Sequence, residues 1–189
     1  MTMRYGDDLL HGDLVKLTAF TREDIPIMSP WYASMELLRY LRPDVAFPVT
    51  QEDEMDWFDA MRKDRNTYNF AARTLAENKL IGGCSAMRIN WPMRHCMVGI
   101  AIGDPEAQGK GYGTDAMRVL LRYCFMELNL NRVALEVYSY NMRAVNSYLK
   151  IGFQQEGVLR ETILRDGEYH DIIGMSLLRR EWDALDNKS

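Results

Sequence analysis

From Gln108 to Thr114 the chain reads Gln-Gly-Lys-Gly-Tyr-Gly-Thr, three glycines at alternate positions with a lysine among them. Glycine lets backbone N–H groups turn toward an anion with no Cβ in the way. The residues after the loop have a helical pattern, and the start of a helix adds roughly half a positive charge. Loop and helix start therefore have the means to hold a phosphate. A strand-to-helix turn that binds nothing also uses glycine. Two familiar phosphate loops are excluded by residue type. A Walker loop needs Lys-Ser or Lys-Thr after its last glycine, where this chain has Thr114-Asp115. A dinucleotide fingerprint begun at Gly109 needs Gly or Ala where Thr114 stands.

A second group of candidate residues follows about thirty residues later, Asn141-Met142-Arg143-Ala144 and then Tyr148 to Phe153. A phenol of pKa about 10 keeps its proton at neutral pH and can give it to an anion in a dry slot. Tyr148 also shares a helical face with Val145, Leu149 and Gly152, which is a packing reading. Asn141 stands where a helix N-cap is expected. Arg143 and Lys150 reach a phosphate in one reading and are solvated in the other. Lys110 has a better claim to phosphate because it lies inside the loop.

The elements that must position these groups are legible in the pattern. Residues 97–102 form an apolar strand entering the loop. Met117, Leu120, Leu121, Cys124, Phe125 and Leu128 make one apolar stripe of a long helix leaving it. Upstream, 14–20 alternates as a strand, and Thr21 with Asp24 has the spacing of a helix start. Pro30 marks a break, 34–40 is helical, and Thr50 opens another helix whose apolar face holds Met55, Phe58 and Met61 with Trp57 nearby. Strands are expected at 68–75 and 80–91, with Gly82-Gly83 a bulge or a close backbone approach. Strands at 133–138, 153–164 and 169–178 follow, with the Asn141 helix after the first of them. The tail 179–189 is polar and expected to fray. This order predicts one α/β (α+β) domain over 1–189, a mixed, mostly antiparallel sheet with helices on both faces.

Composition excludes several function classes. A formal charge of -4, with no Lys/Arg cluster, argues against a nucleic-acid surface. No apolar run approaches the ~20 residues that cross a bilayer, and residues 1–13 lack the apolar segment of a secretory leader. A cytoplasmic location with no membrane partner is the expectation. Cys84, Cys96 and Cys124 lie in apolar segments without metal-ligand spacing, and His11, His95 and His170 are scattered. No metal site is expected.

The loop resembles the (Arg/Gln)-x-x-Gly-x-(Gly/Ala) signature of the GNAT N-acetyltransferases. The helix carrying Asn141 and Tyr148 and ending in Gly152-Phe153 is similar to that family's second signature. Arg165-Asp166-Gly167-Glu168-Tyr169-His170-Asp171 resembles the C-terminal hairpin of the RimJ/RimL ribosomal-protein N-terminal acetyltransferases, which are similar to spermidine acetyltransferases. The resemblance covers most of 14–178 and is weakest over 21–65. It implies a sheet splayed at its centre and acetyl-coenzyme A as cosubstrate. The strand residues Ile100, Ala101 and Ile102 would pair with the pantetheine amides, an amide near Ile100 or Ala101 serving as oxyanion donor. Gln108, Gly109, Lys110, Gly111, Tyr112, Gly113 and Thr114 would take the pyrophosphate. Asn141 and Arg143 would also contact the cofactor, and Tyr148 would protonate the departing thiolate.

The sequence departs from the family at the general base, since Met97 or Val98 stands where several relatives carry a glutamate. Deprotonating a lysine-type amine of pKa about 10.4 at pH 7 costs roughly 4.6 kcal/mol, and an α-amine near 7.8 roughly 1.1 kcal/mol. The acceptor reading therefore leans toward an α-amine helped by a water chain ending on Glu136 or on the Asp166–Asp171 hairpin. Trp31, Tyr32, Glu36, Tyr40 and Trp57 are pocket candidates, Glu36 as a holder of a cationic acceptor, though aromatics at helical spacing are more often core. Three functions stand open. They are an N-acetyltransferase for a protein N-terminus, amino acid or other small amine, a polyamine acetyltransferase, and a non-enzymatic acyl-coenzyme A sensor. A homodimer is left open.

Overall fold

The computed structural model describes residues 9–41 and 45–186. The N-terminal stretch on which the leader was judged lies outside these up to residue 8. Seven strands form one sheet: β1 (Val15–Thr18), β2 (Tyr68–Thr74), β3 (Leu80–Asn90), β4 (His95–Ile102), β5 (Arg132–Tyr138), β6 (Gln154–Arg165) and β7 (Glu168–Leu178). Their spatial order is β1-β2-β3-β4-β5-β7-β6. All neighbours are antiparallel except β4 and β5. Six helices accompany them: α1 (Ile25–Tyr32), α2 (Met35–Leu41), α3 (Gln51–Met61), α4 (Tyr112–Met126), α5 (Met142–Ile151) and α6 (Arg179–Asp186).

One pairing shapes the molecule. β4 and β5 pair in parallel only over His95–Met97 and Arg132–Ala134. β4 then stays bonded to β3 as far as Ile102, and β5 stays bonded to β7 as far as Tyr138. From Val98 and Leu135 onward the two strands go with opposite halves of the sheet, and a wedge opens between them.

Helices cover both faces, as the alternation along β2 shows. Phe70 and Ala72 join the main core with the α4 residues Met117, Leu120 and Phe125, whereas Ala71 between them joins a second cluster with Met28, Leu80 and Trp31. Successive strand residues face opposite sides, so one strand serves both layers. The α4 stripe is buried from Met117 to Phe125. Both expected capping boxes form, at Thr21/Asp24 and Thr50/Asp53. Gly82 proves to be a close approach, beside a bulge whose extra residue is Ile81. The β2–β3 register shifts beside Ala72, and a Cβ on Gly82 would stand 2.1 Å from the Ala101 carbonyl oxygen.

Three expectations are corrected. Pro30 lies inside α1 and does not break it: it forfeits its own N–H bond to the Pro26 carbonyl, and the chain turns only after Tyr32. Leu128 falls beyond the end of α4, its N–H bonding back to the Tyr123 carbonyl. Most of the tail is a helix, α6, anchored by Trp182, whose ring stacks on Phe125 at 5.4 Å, and by Arg179 bonded to the Phe125 carbonyl. Two contacts made far along the chain thus order a segment whose composition is polar.

Candidate active site

A cavity of about 730 Å³ fills the wedge between β4 and β5. One end is built by the glycine loop. Buried Asp104 accepts from the N–H of Glu106 at 3.0 Å and pairs with Lys79 at 2.7 Å, holding the short turn Pro105–Ala107 that delivers Gln108. Gln108 uses both ends of its amide. Its Nε2 donates to the Ile102 carbonyl at 3.0 Å, and its Oε1 accepts from Arg143 at 3.3 Å. Strand end, loop and α5 are thereby tied together.

Gly109 and Gly111 both take left-handed backbone angles (φ +75° and +89°), which glycine adopts without strain. Nothing lies within 4 Å of where a Cβ on Gly109 would sit, so that side of the loop is open. Gly111 is the N-cap of α4 and brings no capping side chain, leaving the first amides of the helix without one. Open space, uncapped amides and a helix start together suit a phosphate group. The start of α4 is itself pinned from behind. Buried Asp115 accepts from the N–H groups of Asp13, Leu14 and Val15 at 3.1, 2.8 and 2.9 Å.

The third wall is α5. Asn141 caps it, its side-chain oxygen accepting from the Ala144 N–H at 3.2 Å, and the same residue lines the cavity. Ser147 and Thr114 are joined hydroxyl to hydroxyl at 2.8 Å, bridging α5 to α4. Tyr148 lines the cavity with its ring edge-on to Phe153 at 5.7 Å, and burial pushes its phenol up to about 12. On the β4 side, Ile100, Ala101 and Ile102 line the same space.

At the other end the walls are Leu37, Tyr40 and Leu41 of α2, Met87 and Arg88 of β3, Met97, and Glu136 of β5. Arg39 pairs with Asp166 in the β6–β7 turn, and the Tyr140 hydroxyl donates to the Arg39 carbonyl at 2.6 Å, which fixes α2 over the cavity.

Of the residues singled out in the sequence, Tyr148, Ile100, Ala101, Ile102, Gln108, Gly109, Gly111, Gly113, Thr114, Asn141, Arg143, Lys150, Tyr40 and Glu136 line this one cavity. Others do not. Lys110 is exposed, and Tyr112 packs against the main core. Glu36 is exposed about a quarter turn away from the α2 face that carries Leu37, Tyr40 and Leu41. Trp31 lies against Gly103, where a Cβ would come within 2.2 Å of its ring. Tyr32 joins the same cluster, and Trp57 meets Phe20 edge-on at 5.8 Å. These aromatics belong to the layer under β2. Asp166 is committed to Arg39, and Asp171 accepts from the Glu161 N–H at 2.8 Å, so neither hairpin carboxylate lines the cavity. Sequence reasoning missed Ser147, Met87 and Arg88. Ser147 lies one helical turn from Arg143 and had that spacing as a signal, whereas Arg88 had none.

The comparisons with known proteins agree with this geometry. Residues 15–154 match the acetyltransferase (GNAT) domain. A putative ribosomal N-acetyltransferase of Bacillus subtilis is 36% identical over 131 residues, 68% of either chain. Spermidine N(1)-acetyltransferase of Escherichia coli is 29% identical over 172 residues, 90% of this chain and 89% of that one. The crystal structure of spermidine N-acetyltransferase from Vibrio cholerae, in complex with CoA and spermine, superposes with a TM-score of 0.81 at 26% identity, covering 89% of this chain and 97% of that one. The chain belongs to the GNAT acetyltransferase family.

Proposed function

We propose that this acetyl-coenzyme A-dependent N-acetyltransferase moves the acetyl group to a primary α-amine by direct attack in a ternary complex. The observation that carries the reading is that the open glycine loop, the unpaired edge of β4 and Tyr148 face one cavity. Acetyl-coenzyme A supplies the acyl group activated as a thioester. The amides of Gly109 to Thr114 hold its diphosphate, with Arg143 and Lys150 adding charge at that end. Beyond Met97, no described strand pairs with β4 on its β5 side, so its amides there are free to bond the pantetheine arm and the acyl oxygen. Tyr148 keeps its proton across the physiological range because burial holds its phenol at about 12. It donates that proton to the sulfur as negative charge gathers there. Burial raises the proton affinity of the sulfur in the same slot, which keeps donor and acceptor matched.

No carboxylate stands on β4, whose lining residues run from Met97 to Ile102. The acceptor must therefore lose its proton with remote help, and Glu136 is the lining carboxylate placed to take it through water. This favours an α-amine over a lysine-like amine by the roughly 3.5 kcal/mol between their deprotonation costs at pH 7. The polyamine reading is favoured by the relatives named above and is decided by a spermidine assay. Thiol release from acetyl-coenzyme A with an amine panel tests the whole. Tyr148→Phe is expected to lower kcat by about 10²–10⁴-fold with coenzyme A affinity kept. Undiminished turnover in that variant removes the acid role.

A further inference from the structure

β3 is broken where Met87 and Arg88 line the cavity. The break has a visible cause. Arg88 has φ +52°, a left-handed conformation rare for a residue with a side chain, and the β3–β4 register shifts between Met87 and Asn90. Bulges of this kind re-aim side chains beside active sites, and such strain persists where the surrounding structure imposes it. Five other non-glycine residues share the left-handed region: Asn78, Arg94, Asn129, Glu161 and Asp166. None of them lines the cavity. Arg94 spends its guanidinium on the Asn129 carbonyl. Arg88 enters no ion pair or side-chain hydrogen bond with the described residues.

Arg88 is too far from the glycine loop to serve the diphosphate. Met87 faces Met97 and Gly82 faces Ile102, so five strand residues, roughly 17 Å, separate the two ends. At Arg88's end the lining among the described residues is apolar (Leu37, Leu41, Met87, Met97) apart from Tyr40 and one carboxylate, Glu136. Met87 lies two strand spacings, roughly 10 Å, from Ala134 through Met97, and Glu136 stands two residues further on, where β5 has left β4. That span leaves room for a small molecule between the two heads.

Resting on the acetyltransferase reading above, we infer that the acceptor is a small zwitterion of the amino-acid class, its carboxylate held by Arg88 and its amine turned toward Glu136. A guanidinium pairs with a carboxylate through two parallel N–H bonds. A polyamine, which repeats a cation along its length, meets a like charge at Arg88 and, among the described residues, one carboxylate. The pairing also serves the chemistry. A free carboxylate beside an ammonium favours the protonated amine, and Arg88 offsets that anion, lowering the amine's pKa where no base stands on β4.

The test uses the full chain with acetyl-coenzyme A and reads thiol release. Methionine, leucine and phenylalanine are each compared with their α-amides, and spermidine is included. KM is the quantity compared, because the amides are the less basic amines. Each acid is expected to have a KM below that of its amide. Arg88→Gln is expected to raise KM for the acids roughly 10- to 100-fold, the range for a charge-assisted hydrogen bond, and to erase the difference between acid and amide. The acidic limb of the pH–rate profile with the acids should move to higher pH. Coenzyme A affinity by calorimetry should stay within twofold, which shows that the variant is folded. Equal KM for acids and amides in the wild type, a preference that survives Arg88→Gln, or spermidine as the best acceptor overturns the inference. So does a lack of turnover of every acid while coenzyme A still binds. A wild-type chain that binds no coenzyme A sinks the parent reading instead.

Discussion

Replacing Asp115 by alanine tests how the glycine loop is held. The side chain is buried in the first turn of α4 and takes three backbone N–H groups, those of Asp13, Leu14 and Val15. Alanine leaves all three donors unanswered. A buried donor without a partner costs about 1–3 kcal/mol, and those at Asp13 and Leu14 are only part-buried, so a total of roughly 3–5 kcal/mol is expected. That is a large share of the ~5–15 kcal/mol stability of an ordinary domain. Asn at 115 separates the contributions. Its oxygen can still serve Leu14 and Val15, which both use Oδ2, while its amide N–H₂ confronts the Asp13 N–H. The expected cost is about 1–2 kcal/mol, with the first turn of α4 still in place. Urea denaturation gives the two stabilities, and calorimetry with coenzyme A shows whether the loop keeps its shape. Weakened binding in Asp115→Ala at a temperature where the chain is folded is the predicted second effect. An alanine variant within about 1 kcal/mol of wild type, or one less destabilised than the asparagine variant, refutes this account of the clamp.

Two further perturbations check other parts of the structure. Gly82→Ala puts a Cβ 2.1 Å from the Ala101 carbonyl oxygen and must push β4 off β3. A loss of about 1–3 kcal/mol or more and a marked fall in turnover are expected from thermal melts and thiol-release rates, and a variant as stable as wild type contradicts the close approach. Burial pushes the phenols of Tyr32, Tyr123 and Tyr148 up to about 12. Since the unfolded chain ionises first, near pH 10, the stability these groups contribute is intact below pH 10 and is lost as pH rises through 12. Phenolate absorbance should therefore show Tyr32, Tyr123 and Tyr148 lagging until the chain unfolds, and their ionisation near pH 10 in the folded chain would falsify the burial assigned to them.

Much of the site could be read before the fold was known, because its parts are local. Gln108 to Thr114 is a short-range signal whose glycines adopt the left-handed angles such a loop needs, at Gly109 and Gly111. Asn141 caps the next helix with the side-chain bond its type predicts, and the α4 stripe is buried over Met117 to Phe125 as its period requires. Over 21–65 the same reasoning left residues between two readings. Trp31, Tyr32 and Trp57 have helical spacing whether they face a cavity or a core, and periodicity does not say which layer a face meets.

Sequence alone determined most of the elements and the form of the glycine loop, since capping, periodicity and glycine freedom act over a few neighbouring residues. Tertiary structure decided what depends on distant partners. Parallel pairing of β4 and β5 stops after three residue pairs, and that creates the cavity. Asp115 holds a segment about a hundred residues away, and Trp182 turns a polar tail into a helix by stacking on Phe125. Arg88 is the sharpest case. Its direction is set by a bulge in the pairing of two strands, and strand register is a property of both strands together.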